Sequence, residues 1–247
     1  MKLLEGKNAL ITGCNRGIGK AIMTLFAEQG ANIIACYRTD SDEIKTLLNE
    51  LTTNYGTTVY PLSFDLADSE DIKRAMKELK ELKIPVDVLV NNAGVPHAGL
   101  LGFTRISDLN NVFQINYFAQ VQLTQTVSGI MSKTKKGSII NMASVAGMDG
   151  DAGNSVYGAS KAAMILFTKT LSKELARVGI RVNAIAPTLT DTDFAEKIGA
   201  KAKEYVIEKS PAGRLANPEE IAQLALFLAS DNSSYINGQV IRIDSGI

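Results

Sequence analysis

Short apolar runs alternate along this chain with longer stretches in which apolar residues return every three or four positions. The runs fall at Ala9 to Ile11, Ile33 to Cys36, Val59 to Leu62, Val86 to Val90, Ser138 to Met142, Val182 to Ala186 and Val240 to Ile243, and each reads as a buried strand. Helical patterns span Gly17 to Glu28, Ser41 to Thr53, Ser69 to Leu82, Ser107 to Lys133, Ser155 to Arg177 and Pro218 to Ala229. Asp68, Ser107 and Asn217 stand where N-caps are expected. Strands alternating with helices imply right-handed parallel crossovers, so the expected fold is α/β: a doubly wound (Rossmann) parallel sheet of about seven strands with helices on both faces. No repeat, linker or low-complexity tract divides residues 1–247, which are expected to form one dinucleotide-binding and catalytic domain. The segment from Thr188 to Gly213 breaks the alternation, carries Phe194, Ile198 and Tyr205, and is expected to be a substrate lid.

Composition narrows the function classes. Lys and Arg total 26 and so do Asp and Glu, leaving no net positive field for nucleic acid or an anionic membrane surface. Cys14 and Cys36 are the only cysteines and His97 the only histidine, which fits a reducing compartment and cannot furnish a Cys/His zinc site; no metal is expected. The first residues lack the apolar stretch of a signal peptide, and no window is apolar enough to span a bilayer. A cytoplasmic location is the expectation.

The most telling chemistry lies in Tyr157-Gly-Ala-Ser-Lys161, inside a helical pattern, with Ser144 upstream on a strand-like segment. A phenol with its usual pKa near ~10 donates a proton readily but is a poor base at neutrality. Positions i and i+4 share a helix face, so Lys161 is placed to favour the phenolate of Tyr157, opening both acid and base work. The Ser144 hydroxyl would polarise the same carbonyl oxygen. A lone Y-x-x-x-K is more often a ring lying under a solvated lysine stem, so the pair needs support from elsewhere in the chain.

That support begins at Thr12-Gly-Cys-Asn-Arg-Gly-Ile-Gly19, which follows the first strand and opens the first helix as a phosphate-binding turn must. Gly13, Gly17 and Gly19 permit close backbone approach, and Asn15, Arg16 and Ile18 complete the candidate cofactor turn. At the end of the second strand, where an acid would grip a ribose hydroxyl, stand Tyr37 and Arg38. Two guanidinium groups, Arg16 and Arg38, suit a 2′-phosphate, which favours NADPH (NADP) over NADH.

Taken in order, the glycine turn, Asn91-Asn92-Ala93-Gly94, Asn116, Ser144 and Tyr157/Lys161 resemble the classical short-chain dehydrogenase/reductase family over essentially the whole length. The resemblance implies that Tyr157 is the acid/base, Ser144 orients the carbonyl, Lys161 binds the nicotinamide ribose and Asn116 holds a water in a proton relay. It also implies cofactor contacts from Asp65, Leu66, Asn91, Ala93, Gly94, Pro187, Thr190 and Thr192, besides Tyr157 and Lys161. One departure is Thr188 after Pro187, where the family usually has glycine. Within the family the closest likeness is to 3-oxoacyl-[acyl-carrier-protein] reductases, through Ser210 to Ile221 and Tyr235 to Gly246, although such tails discriminate weakly.

The expected reaction is therefore NADPH-dependent reduction of a 3-oxoacyl thioester, as in fatty acid biosynthesis. A sugar, polyol or other secondary-alcohol dehydrogenase is the second reading, and a non-catalytic nucleotide-sensing protein the third. Val95, His97, Met148, Asp149, Asp151, Asn154 and Phe194 are expected at the pocket mouth, although Asp149 and Asp151 read first as turn formers and the isolated His97 first as a surface or packing residue. Lys133, Lys135 and Lys136 would suit docking of an acidic acyl carrier protein, or simply finish a helix. The resemblance also implies a homotetramer.

Overall fold

The computed structural model describes residues 2–247, the side chains of residues 197, 201 and 202 aside. Seven strands form one sheet: β1 Asn8–Thr12, β2 Asn32–Tyr37, β3 Val59–Ser63, β4 Val88–Asn91, β5 Gly137–Met142, β6 Ile180–Pro187 and β7 Val240–Ile243. All neighbours run parallel, in the order β3-β2-β1-β4-β5-β6-β7. The register explains why the apolar runs are continuous. Leu10 lies beside Ile34 and Leu89, Leu89 beside Ile139, and Ile139 beside Val182, forming one apolar row across one face. Their chain neighbours Ala9, Ile11, Ile33, Val88, Val90 and Ile140 point to the other face, so both are apolar.

Helices α1 (Gly17–Glu28), α2 (Asp42–Tyr55), α3 (Ser69–Glu81), α4 (Ile106–Phe113), α5 (Ala119–Thr134), α6 (Ser155–Leu175), α7 (Asp193–Ile198), α8 (Ala200–Lys209) and α9 (Pro218–Ala229) connect the strands. Ile22, Phe26, Leu48 and Leu228 bring α1, α2 and α9 onto one sheet face, while Leu79, Leu123, Val127 and Leu171 bring α3, α5 and α6 onto the other. Asp68 caps α3 by accepting from the Glu70 and Asp71 amides at 2.8 and 3.3 Å, and at α9 the Asn217 amide donates to Glu220 Oε2 at 2.7 Å.

Two expectations for the middle of the chain are corrected. Ser107 is not a cap: α4 starts at Ile106 behind the extended Arg105, so Ser107 already lies within the first turn, and the Arg105 guanidinium pairs with Asp108 at 2.8 and 2.9 Å. The single helix expected from Ser107 to Lys133 is split by a π-helical turn at Gln114–Phe118, which carries Asn116. The segment expected as a lid folds into α7 and α8. Chain direction reverses its spread across the sheet between β1 and β4, so the loops after these strands part and leave a crevice at the strand carboxyl ends.

Candidate active site

A cavity of about 890 Å³ occupies that crevice and runs on toward α7 and α8. At its floor the glycine turn takes a shape that side chains would spoil. Gly13 and Gly17 have φ of 65° and 52°, and a Cβ on Gly19 would overlap the Gly13 carbonyl oxygen. The turn is fastened to the end of β4: Asn92 Nδ2 donates to the carbonyls of Thr12 and Gly13 at 2.9 and 3.3 Å, and Thr12 Oγ1 accepts from the Asn92 and Ala93 amides at 2.9 and 3.0 Å. Helix α1 begins at Gly17 with no side-chain cap among the described residues, leaving its first N–H groups to meet an anion. A pyrophosphate fits this cradle.

Asn15, Arg16, Ile18, Tyr37, Arg38, Asp65 and Leu66 line the same end of the cavity. Arg38 forms no ion pair among the described residues, and Arg16 approaches Asp193 Oδ2 only at 3.7 Å, both groups being exposed. Asp65 also holds its own turn, accepting from the Ala67 amide at 2.8 Å.

At the other end Ser144, Tyr157 and Lys161 converge with Ala93, Gly94, Pro187, Thr190 and Thr192 on one cavity wall. The 21-residue helix α6 presents Tyr157 and Lys161 on one face, and Gly147 and Gly158 allow it to pack against the turn after Ser144, because a Cβ on Gly158 would come within 2.5 Å of the Ala146 carbonyl oxygen. Lys161 Nζ donates to the Met142 carbonyl at 2.7 Å and stands 5.8 Å from the Tyr157 ring centre. The expected lowering of the phenol by Lys161 is corrected. Burial dominates at both groups: it pushes Tyr157 up to about 12, with the Ser144 hydroxyl pulling partway back, and Lys161 down to about 8. Thr188 fits without strain, since its φ lies outside the left-handed region, and its amide donates to the Ile243 carbonyl at 3.2 Å.

Two expected site residues stand behind the wall. Asn91 turns away from the cavity and donates to Thr124 Oγ1 and Asn141 Oδ1 at 2.9 and 2.8 Å, because it shares the sheet face of Leu89; its neighbour Asn92 lines the cavity instead. Asn116 is buried, and its side-chain amide makes three hydrogen bonds: Oδ1 accepts from the Val95 amide at 2.8 Å, while Nδ2 donates to the Val95 carbonyl and Ser160 Oγ, each at 3.1 Å. At the mouth, Val95, His97, Asp151, Asn154 and Phe194 line the cavity as expected, but Met148 and Asp149 do not; Asp149 is drawn off to Arg242 at 2.8 Å. Thr12 and Asn92 are supports that the sequence reading placed inside its motifs but gave no role. The wall residues Phe64 and Val206 carry no sequence signal. No cluster of His, Cys, Asp and Glu able to hold a metal occurs among the described residues, and no described helix is long and apolar enough to cross a membrane.

The family model described as enoyl-(acyl carrier protein) reductase matches residues 13–247. The chain is 43% identical over 244 residues to the 3-oxoacyl-[acyl-carrier-protein] reductase FabG of Thermotoga maritima, covering 99% of this chain and 98% of that one. It is 36% identical to the FabG of Aquifex aeolicus, with the same coverage. Among solved structures, a gluconate 5-dehydrogenase from Burkholderia cenocepacia in complex with NADP and tartrate superposes with a TM-score of 0.92 at 31% identity, covering 98% of this chain and 95% of that one. A levodione reductase also gives 0.92, at 28% identity, with 98% of each chain covered. The chain belongs to the short-chain dehydrogenase/reductase family. It is an NAD(P)-dependent oxidoreductase acting on CH–OH groups.

Proposed function

We propose that this enzyme reduces the keto group of a 3-oxoacyl thioester, with NADPH as its cofactor and Tyr157 as proton donor. The observation that carries the reading is the convergence of Ser144, Tyr157 and Lys161 on the wall of the cavity whose floor is the glycine turn. Two hydroxyl donors aimed at one oxygen suit a carbonyl better than a carbon–carbon double bond. When bound, the dihydronicotinamide supplies the hydride for the carbonyl carbon. Tyr157, held protonated by burial, gives its proton to the carbonyl oxygen as negative charge gathers there. Ser144 polarises that oxygen, and Lys161, anchored on Met142, offers its remaining N–H groups to the nicotinamide ribose. The relay that the resemblance implied stays with Asn116, whose side-chain amide also braces the wall through Val95 and Ser160.

The glycine turn with Asn15, Ile18, Ala93 and Gly94 would hold the pyrophosphate and riboses, and Pro187, Thr190 and Thr192 the carboxamide side. Arg38 without an acidic partner, joined by Arg16, supports NADPH over NADH. The full-length relatives that are 3-oxoacyl-[acyl-carrier-protein] reductases support the thioester, and with it acyl carrier protein as partner. Unpaired Cys14 and Cys36 support a reducing cytoplasmic setting, and exposed Phe118 and Leu166 beside the catalytic helices support a homotetramer. Asp151 and Asn154 on the mouth favour a second reading, a polyol or sugar-acid dehydrogenase like the gluconate 5-dehydrogenase. NADPH oxidation over a panel of 3-oxoacyl thioesters, diketones and keto sugar acids tests the two. The thioester is expected to give the highest kcat/KM, and Tyr157→Phe to lower turnover about 10²- to 10⁴-fold with NADPH binding unchanged. A keto sugar acid as best substrate would overturn the assignment.

A further inference from the structure

We infer that His97 is a substrate-binding residue whose Nε2–H donates a hydrogen bond to the second carbonyl oxygen of the substrate, the thioester oxygen of a 3-oxoacyl group. This deepens the reading above and rests on it. His97 sits on the loop joining β4 to α4, and that loop is held at both sides of it. Upstream, Asn116 binds both the amide and the carbonyl of Val95, and Gln120 Nε2 donates to the Ala93 carbonyl at 3.1 Å. Downstream, the Gly99 amide donates to the Gly153 carbonyl at 3.0 Å, tying this loop to the one that follows Ser144. The imidazole lies over Gly99, its Cε1 3.5 Å from where a Cβ would stand there. It is thus fixed relative to Ser144 and Tyr157, with which it lines the cavity.

The ring makes no hydrogen bond to any described residue. Nδ1 is fully buried and without a partner, whereas Nε2 is not buried. A neutral imidazole carries one N–H. Nδ1 lacks a partner in either tautomer, and Nε2 is the ring nitrogen left accessible, so the N–H that can reach a bound substrate is the one on Nε2. Metal binding does not account for the residue, because no cluster of metal-binding side chains surrounds it among the described residues. Proton donation to the keto oxygen already belongs to Tyr157. The carboxylates nearby, Asp108 in the grip of Arg105 and Asp151 on the facing loop, are acceptors and cannot serve a carbonyl. A 3-oxoacyl thioester brings a second carbonyl oxygen into a chamber walled by Val95, Phe194, Ile198 and Val206, where an unpaired acceptor is costly. His97 is the donor suited to it.

The test compares His97→Phe and His97→Gln with the unaltered enzyme on acetoacetyl thioester and on a monoketone of similar size, with NADPH affinity read from cofactor fluorescence. His97→Phe is expected to raise KM for the thioester about tenfold, the effect of one lost hydrogen bond, with kcat within about twofold. KM for the monoketone and NADPH affinity should hold, and His97→Gln, which keeps an N–H donor, should recover most of the loss. Equal losses on both substrates, or none on either, would overturn the inference while leaving the thioester reading intact. An unaltered enzyme inert toward acetoacetyl thioester would overturn both.

Discussion

Burial sets the protonation of the two central residues, and this fixes a pH dependence. The proposed reduction needs a protonated Tyr157 and a charged Lys161. Tyr157 keeps its proton up to about 12, but Lys161, denied water, releases its own as pH rises through about 8. The expected kcat/KM for the ketone is flat on the acid side of that value and falls toward a tenfold loss per pH unit above it; Lys161→Arg should move the fall to higher pH. At the other end of the cavity, Arg38→Asp exchanges a free guanidinium for a carboxylate. Losing one charge-assisted hydrogen bond, about 1.5–3 kcal/mol, predicts NADPH affinity lower by about 10- to 100-fold with NADH affinity kept or improved, as measured by cofactor titration.

Among the elements, β7 and the tail after it are tied to the loop beyond Ser144. Arg242 reaches Asp149 at 2.8 Å, Asp244 at 2.6 Å and the Ile247 carbonyl at 2.8 Å. Both members of the Arg242–Asp149 pair are partly exposed, so the link is worth at most about 1 kcal/mol. Arg242→Met is expected to raise KM for the carbonyl substrate about two- to fivefold in steady-state assays, with NADPH affinity unchanged. The same scale shows what was legible in the sequence. All seven strands were, because a sheet covered on both faces needs unbroken apolar runs, and so was α9, framed by Asn217, Pro218 and Glu220. The break at Gln114–Phe118 was not, since a single widened turn leaves the three-to-four spacing of apolar residues nearly intact. Asn91 was open to deduction: residues two apart on a strand share a face, and Leu89 faces α5, so the side chain bound for the crevice had to be that of Asn92. The start of α4 at Ile106 was not legible either, since helix ends set one residue apart leave almost the same sequence pattern. The candidate residues Ser144, Tyr157 and Lys161, which the fold brings to one cavity, were readable because they stand close together in sequence or beside a strand end. The state of Tyr157 was not, since it depends on how deeply the fold buries the ring.

For the whole molecule, Phe118 is 54% and Leu166 65% exposed, large apolar groups on the surface formed by the helices that carry Asn116 and Tyr157. If copies of the chain meet there, the double variant Phe118→Arg, Leu166→Arg should lower the mass measured by light scattering from four times 26.5 kDa to one or two times that value. An unchanged mass would place the contact elsewhere. The position of His97 has a practical consequence at this scale. With a single imidazole in the chain, standing in the chamber wall, isotopic labelling of histidine would give one signal pair that needs no assignment, a resident NMR reporter of whatever enters or leaves.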